Sequence, residues 1–202
     1  MKRSMFALAG AIALATGAVP ALAATSVNVP IVAAAPSLDP RAGNAFGGAV
    51  TAELASYVNA SQSANEPATV RLLSDGNALY VRFDVSQQFD PLEGFDGGDS
   101  VAVDLWDASG TRSHLGVGIN GTHTPDSTPE TAGWETAVAT HAGGYTVTMK
   151  IPLGTASGSH VQFSRWIAAS GQEQVWSHDS GQAADDLAQA GTLAFTSSAG
   201  KN

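Results

Sequence analysis

Residues 65–85 read NEPATVRLLSDGNALYVRFDV. Two runs of alternating apolar residues flank Asp75-Gly76. Glycine enters positive φ without steric cost, so this dipeptide marks a two-residue hairpin turn. Folding about it sets Leu72 opposite Leu79, Val70 opposite Val81 and Ala68 opposite Phe83. Strand side chains alternate, so these pairs share one dry face, and Arg71, Tyr80, Arg82 and Asp84 share the other, wet face. That division is the pattern of an antiparallel sheet covering a core on one side.

Working outward, turn signals recur at short intervals, as in an all-β domain. Residues 26–34 read as a first strand, 36–50 as irregular chain, 49–58 as a strand and 61–68 as a polar loop. Residues 99–122 form a second hairpin, with Val101, Val103, Leu105, Leu115, Val117 and Ile119 on its dry side. Ala102, Asp104, Trp106, His114, Gly116, Gly118 and Asn120 take the opposite side. A third hairpin turns at Ala142-Gly143-Gly144, the last strands lie in 160–169, 173–179 and 191–197, and 183–190 holds a helical turn. The expected fold is all-β: a two-sheet antiparallel β-sandwich, immunoglobulin- or jelly-roll-like, of about ten strands.

The N-terminus reads differently. Met1-Lys2-Arg3 is a basic start, an Ala/Gly-rich apolar run follows, and Ala21-Leu22-Ala23 is a small-x-small cleavage site. This is the pattern of a Sec signal peptide over 1–23, and it implies a secreted or periplasmic protein whose single domain fills 24–202. The mature chain would hold 179 of the 202 residues, and loss of Lys2 and Arg3 moves the formal charge from −9 to −11. No second apolar run is long enough to span a bilayer. The chain has no cysteine, so packing must hold it together without disulfides. An acidic surface disfavours nucleic acid and anionic membranes as partners.

Several segments, in order, resemble carbohydrate-binding module family 9 and the related DOMON-type sandwiches. PSLDP (36–40) with Phe46 is similar to the family's opening segment, and ATVRLLSDGNALYVRFDV (68–85) to its first clear hairpin. GGDSVAVDLWD (97–107) is similar to its D-D-S-V-E-I-F strand, and GVGINGT (116–122) to its strand ending in Asn-x-Gly. WETAVATHAGGYTVTMKIPL (134–153) resembles its W-E-x-A-V and T-V-E-M-x-I-P element, and Trp176 followed by GTLAF (191–195) its closing Trp and strand. The resemblance covers nearly all of 27–196. It implies non-catalytic sugar binding, with aromatic rings clamping a sugar and polar side chains bonding its hydroxyls. It places the closing clamp at Trp176. The second clamp falls at Asp96, with Phe95 beside it, and the sugar-bonding Glu falls at Ala102.

The residues point to candidates of their own. Sugar recognition needs a flat apolar surface plus directional polar groups. The expected site combines Trp176, Trp106, Asp104, Arg112, His114 and Phe95. Trp106, on a face with Asp104 and His114, either meets a ligand or lies under a loop. Trp134 and Trp166 are expected in the core. The loop 86–99 holds Asp90, Glu93, Asp96 and Asp99, an oxygen-rich set suited to Ca²⁺, with a merely solvated acidic loop as the competing reading. The five histidines fall in no zinc spacing. No nucleophile elbow or phosphate loop occurs, and the adjacent Ser, His and Asp of 177–180 cannot form a triad, so no enzyme is expected. The partners expected are an oligo- or polysaccharide and a separate carbohydrate-active enzyme. Two alternatives stand beside it: an interaction domain of the cell envelope whose sugar site has decayed, and a DOMON-type haem domain using Met149, the only methionine after cleavage.

Overall fold

The computed structural model describes residues 25–58, 63–86, 98–124, 127, 133–154, 160–176 and 185–197. Phe95 and three of the four acidic loop residues, Asp90, Glu93 and Asp96, lie outside this set, as does the N-terminal segment 1–23. The described chain is all-β with eleven strands: β1 Ser26–Ile31, β2 Val50–Tyr57, β3 Ser63–Ser74, β4 Ala78–Val85, β5 Ser100–Trp106, β6 Arg112–Gly118, β7 Glu135–His141, β8 Gly144–Pro152, β9 His160–Ile167, β10 Gln172–Val175 and β11 Gly191–Ser197. A 3₁₀ turn, Leu187–Gln189, falls within the segment expected to hold a helical turn. Among the described residues no helix is long and apolar enough to cross a membrane.

One layer runs β2-β3-β4-β8-β7, and the other β6-β5-β9. On the free edge of β9, β10 pairs with its second half and β11 with its first, and β1 lies beside β11. β10 also pairs with β2 through Gln174 and Tyr57, which joins the layers at one corner. The sandwich is not purely antiparallel: β1 runs parallel to β11 from Ser26↔Thr192 to Ile31↔Ser197. β3 begins at Ser63, inside the expected polar loop, because Ser63 pairs with Ser56 past an irregularity in β2. Long-range pairing there overrides a polar local sequence.

The opening hairpin forms with a corrected register. Leu72 pairs with Val81, Val70 with Phe83 and Ser74 with Leu79, each two residues from the expected partner. The turn is centred on Gly76-Asn77, with Gly76 at φ 86°. Asp75 stays outside the turn's centre because its Oδ1 accepts from the N–H groups of Asn77 and Ala78, both at 2.8 Å. The Tyr80 hydroxyl donates to its Oδ2 at 2.9 Å. Burial and this bond to Asp75 push the Tyr80 hydroxyl up to about 12. An even shift leaves every side chain on its own face, so the dry face keeps its membership.

The core lies between the layers. Leu54, Val70, Leu72, Val81, Phe83, Val147 and Met149 from one layer form a single buried cluster with Val101, Val103, Leu105, Leu115, Val117, Val161 and Phe163 from the other. Phe83 and Phe163 meet edge to face across the interface, 6.4 Å between centroids, an arrangement worth about 0.5–1.5 kcal/mol beyond burial. Met149 is fully buried among these apolar side chains, as an ordinary strand residue. The wet face of β3–β4 is partly roofed. Leu73, Ala78 and Tyr80 pack with Phe46, and the Thr148 hydroxyl donates to the Leu38 carbonyl, so residues 38–49 close over part of it.

Candidate functional site

The outer face of β6, β5, β9 and β10 is a polar grid set by strand register. One row is Arg112, Trp106 and His160, and the next is His114, Asp104 and Gln162. The third is Gly116, Ala102, Ser164 and Val175, and the last is Gly118, Ser100, Trp166 and Glu173. Alternation along β5 and β6 thus brings together four residues expected to share a site: Trp106 beside Arg112, and Asp104 beside His114.

Asp104 is the centre of this cluster. Its Oδ1 accepts from Arg112 Nε at 2.7 Å and from His114 Nδ1 at 2.8 Å. Arg112 also reaches the Asp185 carboxylate, 3.5 Å from its Nη1. Asp104 is 1 % exposed, yet both of its partners retain access to solvent. The neighbouring Gln162 is fully buried. Its Oε1 accepts from the Phe163 N–H, and among the described residues its Nε2 has no hydrogen-bond partner. Leaving a buried amide donor unpaired costs about 1–3 kcal/mol, so this group is an unmet demand for an acceptor. Burial holds the Glu173 carboxyl above the ordinary Glu value. A hydrogen bond with Ser164 opposes that rise and the Asp104 charge adds to it. The face therefore carries donors at Arg112 and Gln162, acceptors at Asp104 and Glu173, and hydroxyl groups at Ser100 and Ser164.

The tryptophans depart from expectation. Trp166, expected in the core, is 40 % exposed and stands on this outer face. Trp176, expected to face a ligand, lies on the inner face at 7 % exposure, with its ring 5.4 Å from that of Phe163. Its ring lies so close to Gly191 that any Cβ there would overlap it. The reason is register: the Trp176 N–H donates to the Phe163 carbonyl, which places it opposite an inward residue. Trp106 is 3 % exposed, so of the two readings left open for it the covered one holds. Trp134 packs in the core as expected and stacks on His123 at 4.1 Å.

Part of the face is covered by the chain itself. The Thr124 N–H donates to the Gly116 carbonyl, and the Ser127 hydroxyl donates to the same carbonyl. The Thr124 side chain lies where a Cβ on Gly116 would sit, 2.5 Å from that position. Gly116 is directly opposite Ala102. Thr124 and Ser127 thus occupy ground beside the position that the resemblance gave to a sugar-bonding Glu.

Asp99, expected among Ca²⁺ ligands, is instead committed inside the molecule. Its Oδ2 accepts from Arg165 Nη2 at 3.1 Å and its Oδ1 from the Ala168 N–H at 3.0 Å. A carboxylate already neutralised by a guanidinium is a poor cation ligand. Among the described residues no three His, Asp or Glu side chains come close enough to hold a metal. The residues missed by sequence reasoning were Gln162, Ser164, Trp166 and Glu173. The signal for the first three was present: Val161 and Phe163 point inward, so every even-numbered residue of β9 points out.

No protein-family model and no curated protein sequence matches this chain. Solved structures do. A family 9 carbohydrate-binding module from Caldicellulosiruptor kristjanssonii in complex with glucose superposes with TM-score 0.68 at 18 % identity, over 88 % of this chain and 98 % of that one. The module in complex with cellotriose gives TM-score 0.66 at 18 % identity, over 86 % and 94 %. A Bacteroides uniformis protein to which carbohydrate binding is provisionally assigned gives TM-score 0.57 at 13 % identity, over 86 % and 100 %. The chain has the β-sandwich fold of family 9 carbohydrate-binding modules.

Proposed function

We propose that this protein binds a carbohydrate non-catalytically on the outer face of β6, β5, β9 and β10. The observation that carries this reading is the buried, unpartnered Nε2 of Gln162. It stands among Asp104, His114, Arg112, Ser164 and Glu173, on a fold shared with modules seen with glucose and cellotriose. Sugar hydroxyls both donate and accept, so they suit a surface that mixes carboxylates, an amide and a guanidinium. Trp166 supplies the exposed ring for the apolar C–H face of a pyranose, in the role expected of Trp176. Trp106 lies six residues further along the strands, about 20 Å away at ~3.3 Å per residue, and closes the other end of the polar ground. Residues 1–23 direct export, and a mature N-terminus at Ala24, read by mass spectrometry, is the result expected of it.

The direct test is calorimetric titration of the purified protein with glucose, cellotriose and a panel of other oligosaccharides. Saturable binding that Trp166→Ala and Gln162→Met each weaken about tenfold or more supports the reading. Absence of heat across the panel, with a folded protein by circular dichroism, overturns it. A second reading, an interaction domain of the cell envelope with a decayed sugar site, is favoured by Thr124 and Ser127 lying on Gly116 opposite Ala102. That silent result is the one it expects.

A further inference from the structure

The outer face of the other layer carries a groove of about 480 Å³, within the size range of small-ligand pockets. Arg41, Arg82, Asp84, Thr146 and His141 line it, together with Pro40 and Ala139. Its charge is opposite to that of the chain as a whole. Arg71 and Arg82 face each other directly across β3 and β4, a like-charge pair that is unfavourable alone. One carboxylate bridges them: Asp84 Oδ2 lies 3.0 Å from Arg71 Nε, and Oδ1 lies 2.8 Å from Arg82 Nε. The Thr146 hydroxyl donates to Asp84 Oδ1 at 3.2 Å. Two guanidiniums on one carboxylate leave a positive charge over, and Arg41 adds another. The Asp39 carboxylate beside it accepts from the Arg41 backbone N–H, at 2.9 Å.

Arg82 is held in place. Its Nε is fixed by Asp84, and its guanidinium carbon sits 5.9 Å from the centre of the Phe46 ring. Among the described residues its two Nη atoms have no partner, and neither does the Arg41 guanidinium. A fixed guanidinium with its terminal nitrogens unpaired matches the two oxygens of a carboxylate. The adjoining Pro40 and Ala139 offer an apolar surface to a ring, and the Thr146 hydroxyl, opposite Ala139 on the same face, lies beside it. We propose that this groove binds an acidic monosaccharide, a uronate, with its carboxylate on Arg82 and Arg41. The site is separate from the one in the opposite layer and stands or falls independently of it.

The test is an NMR titration of the full chain at low ionic strength with sodium glucuronate, with glucose and with sodium sulfate in parallel arms. The expected result is saturable shifts of the Arg82 side-chain and His141 resonances with glucuronate at millimolar concentrations. Glucose should leave these resonances unmoved, and added salt should weaken the binding. Arg41→Met, an exposed change that leaves the Asp84 bridge intact, should lower affinity several-fold, and Arg82→Met about tenfold or more. Shifts absent with glucuronate, or unchanged in Arg41→Met, overturn the site. Sulfate binding as tightly as glucuronate overturns the sugar and leaves a simple anion site.

Discussion

Two buried carboxylates, Asp99 just before β5 and Asp104 within it, have opposite fates. Asp99 faces the core, and its partner Arg165 is fully buried. Arg165 also donates from Nε to the Tyr145 hydroxyl at 3.1 Å and from Nη1 to Gln174 Oε1 at 3.4 Å, so each member of the network has a protein partner. Burial raises the Tyr145 hydroxyl well above its ordinary value, which keeps it neutral beside the ion pair. Asp104 faces outward, bonds two groups that still touch water, and lies next to an amide with an unused donor. A closed network ties β8, β9 and β10 together. An incomplete one leaves capacity for something that is not protein.

The comparison can be broken first at Arg165. Arg165→Met leaves Asp99 buried without its countercharge, and a loss of about 3–5 kcal/mol in urea-unfolding stability is expected. A loss under 1 kcal/mol would mean the pair is not closed as described. Asp104→Asn should cost less, about 1–2 kcal/mol, because Arg112 and His114 can turn to solvent, while sugar affinity should fall sharply. Gln162→Met should leave stability within about 1 kcal/mol, since it removes an unpaired donor and one accepted bond together, yet reduce affinity. If it lowers stability and leaves affinity intact, Gln162 belongs to the scaffold.

The smallest effect concerns Glu173. Its carboxyl is raised by burial, so the folded state favours the neutral form. Stability from that preference is fully present below the unfolded Glu value and is lost as pH rises through the folded one. Glu173→Gln should therefore be slightly more stable than the parent at neutral pH, with the difference vanishing under acid, as followed by thermal melts across pH. A difference that grows under acid would reverse the assignment.

Alternation made much of this legible before any coordinates. The pairing of Asp104 with His114 and Trp106 with Arg112 follows from two strands and a turn, because face membership survives small register errors. That is also why the Asp75–Gly76 hairpin kept its dry side despite a two-residue shift. Trp166 and Trp176 exchanged places for a related reason. Phe163 and Trp166 lie three positions apart, an odd offset that puts them on opposite faces, while the side of Trp176 depends on its pairing with Phe163 after a turn. Arg165 gave no sign of burial, because its countercharge stands 66 residues earlier in the chain. Alternation alone could not choose between the two readings of Trp106, because a face can be polar in composition and still be covered.

The parallel pairing of β1 with β11 has a consequence for how the molecule comes into being. Ser26 and Thr192 are partners, so the first strand waits for nearly the whole chain. Loop-closure entropy grows only slowly with length, about 0.6 kcal/mol per doubling, so the delay costs little stability. It costs time, since such distant contacts slow folding. A chain emerging from its N-terminus cannot complete this sheet until β11 is free, so β1 stays unpaired on that edge while everything between the two strands is made.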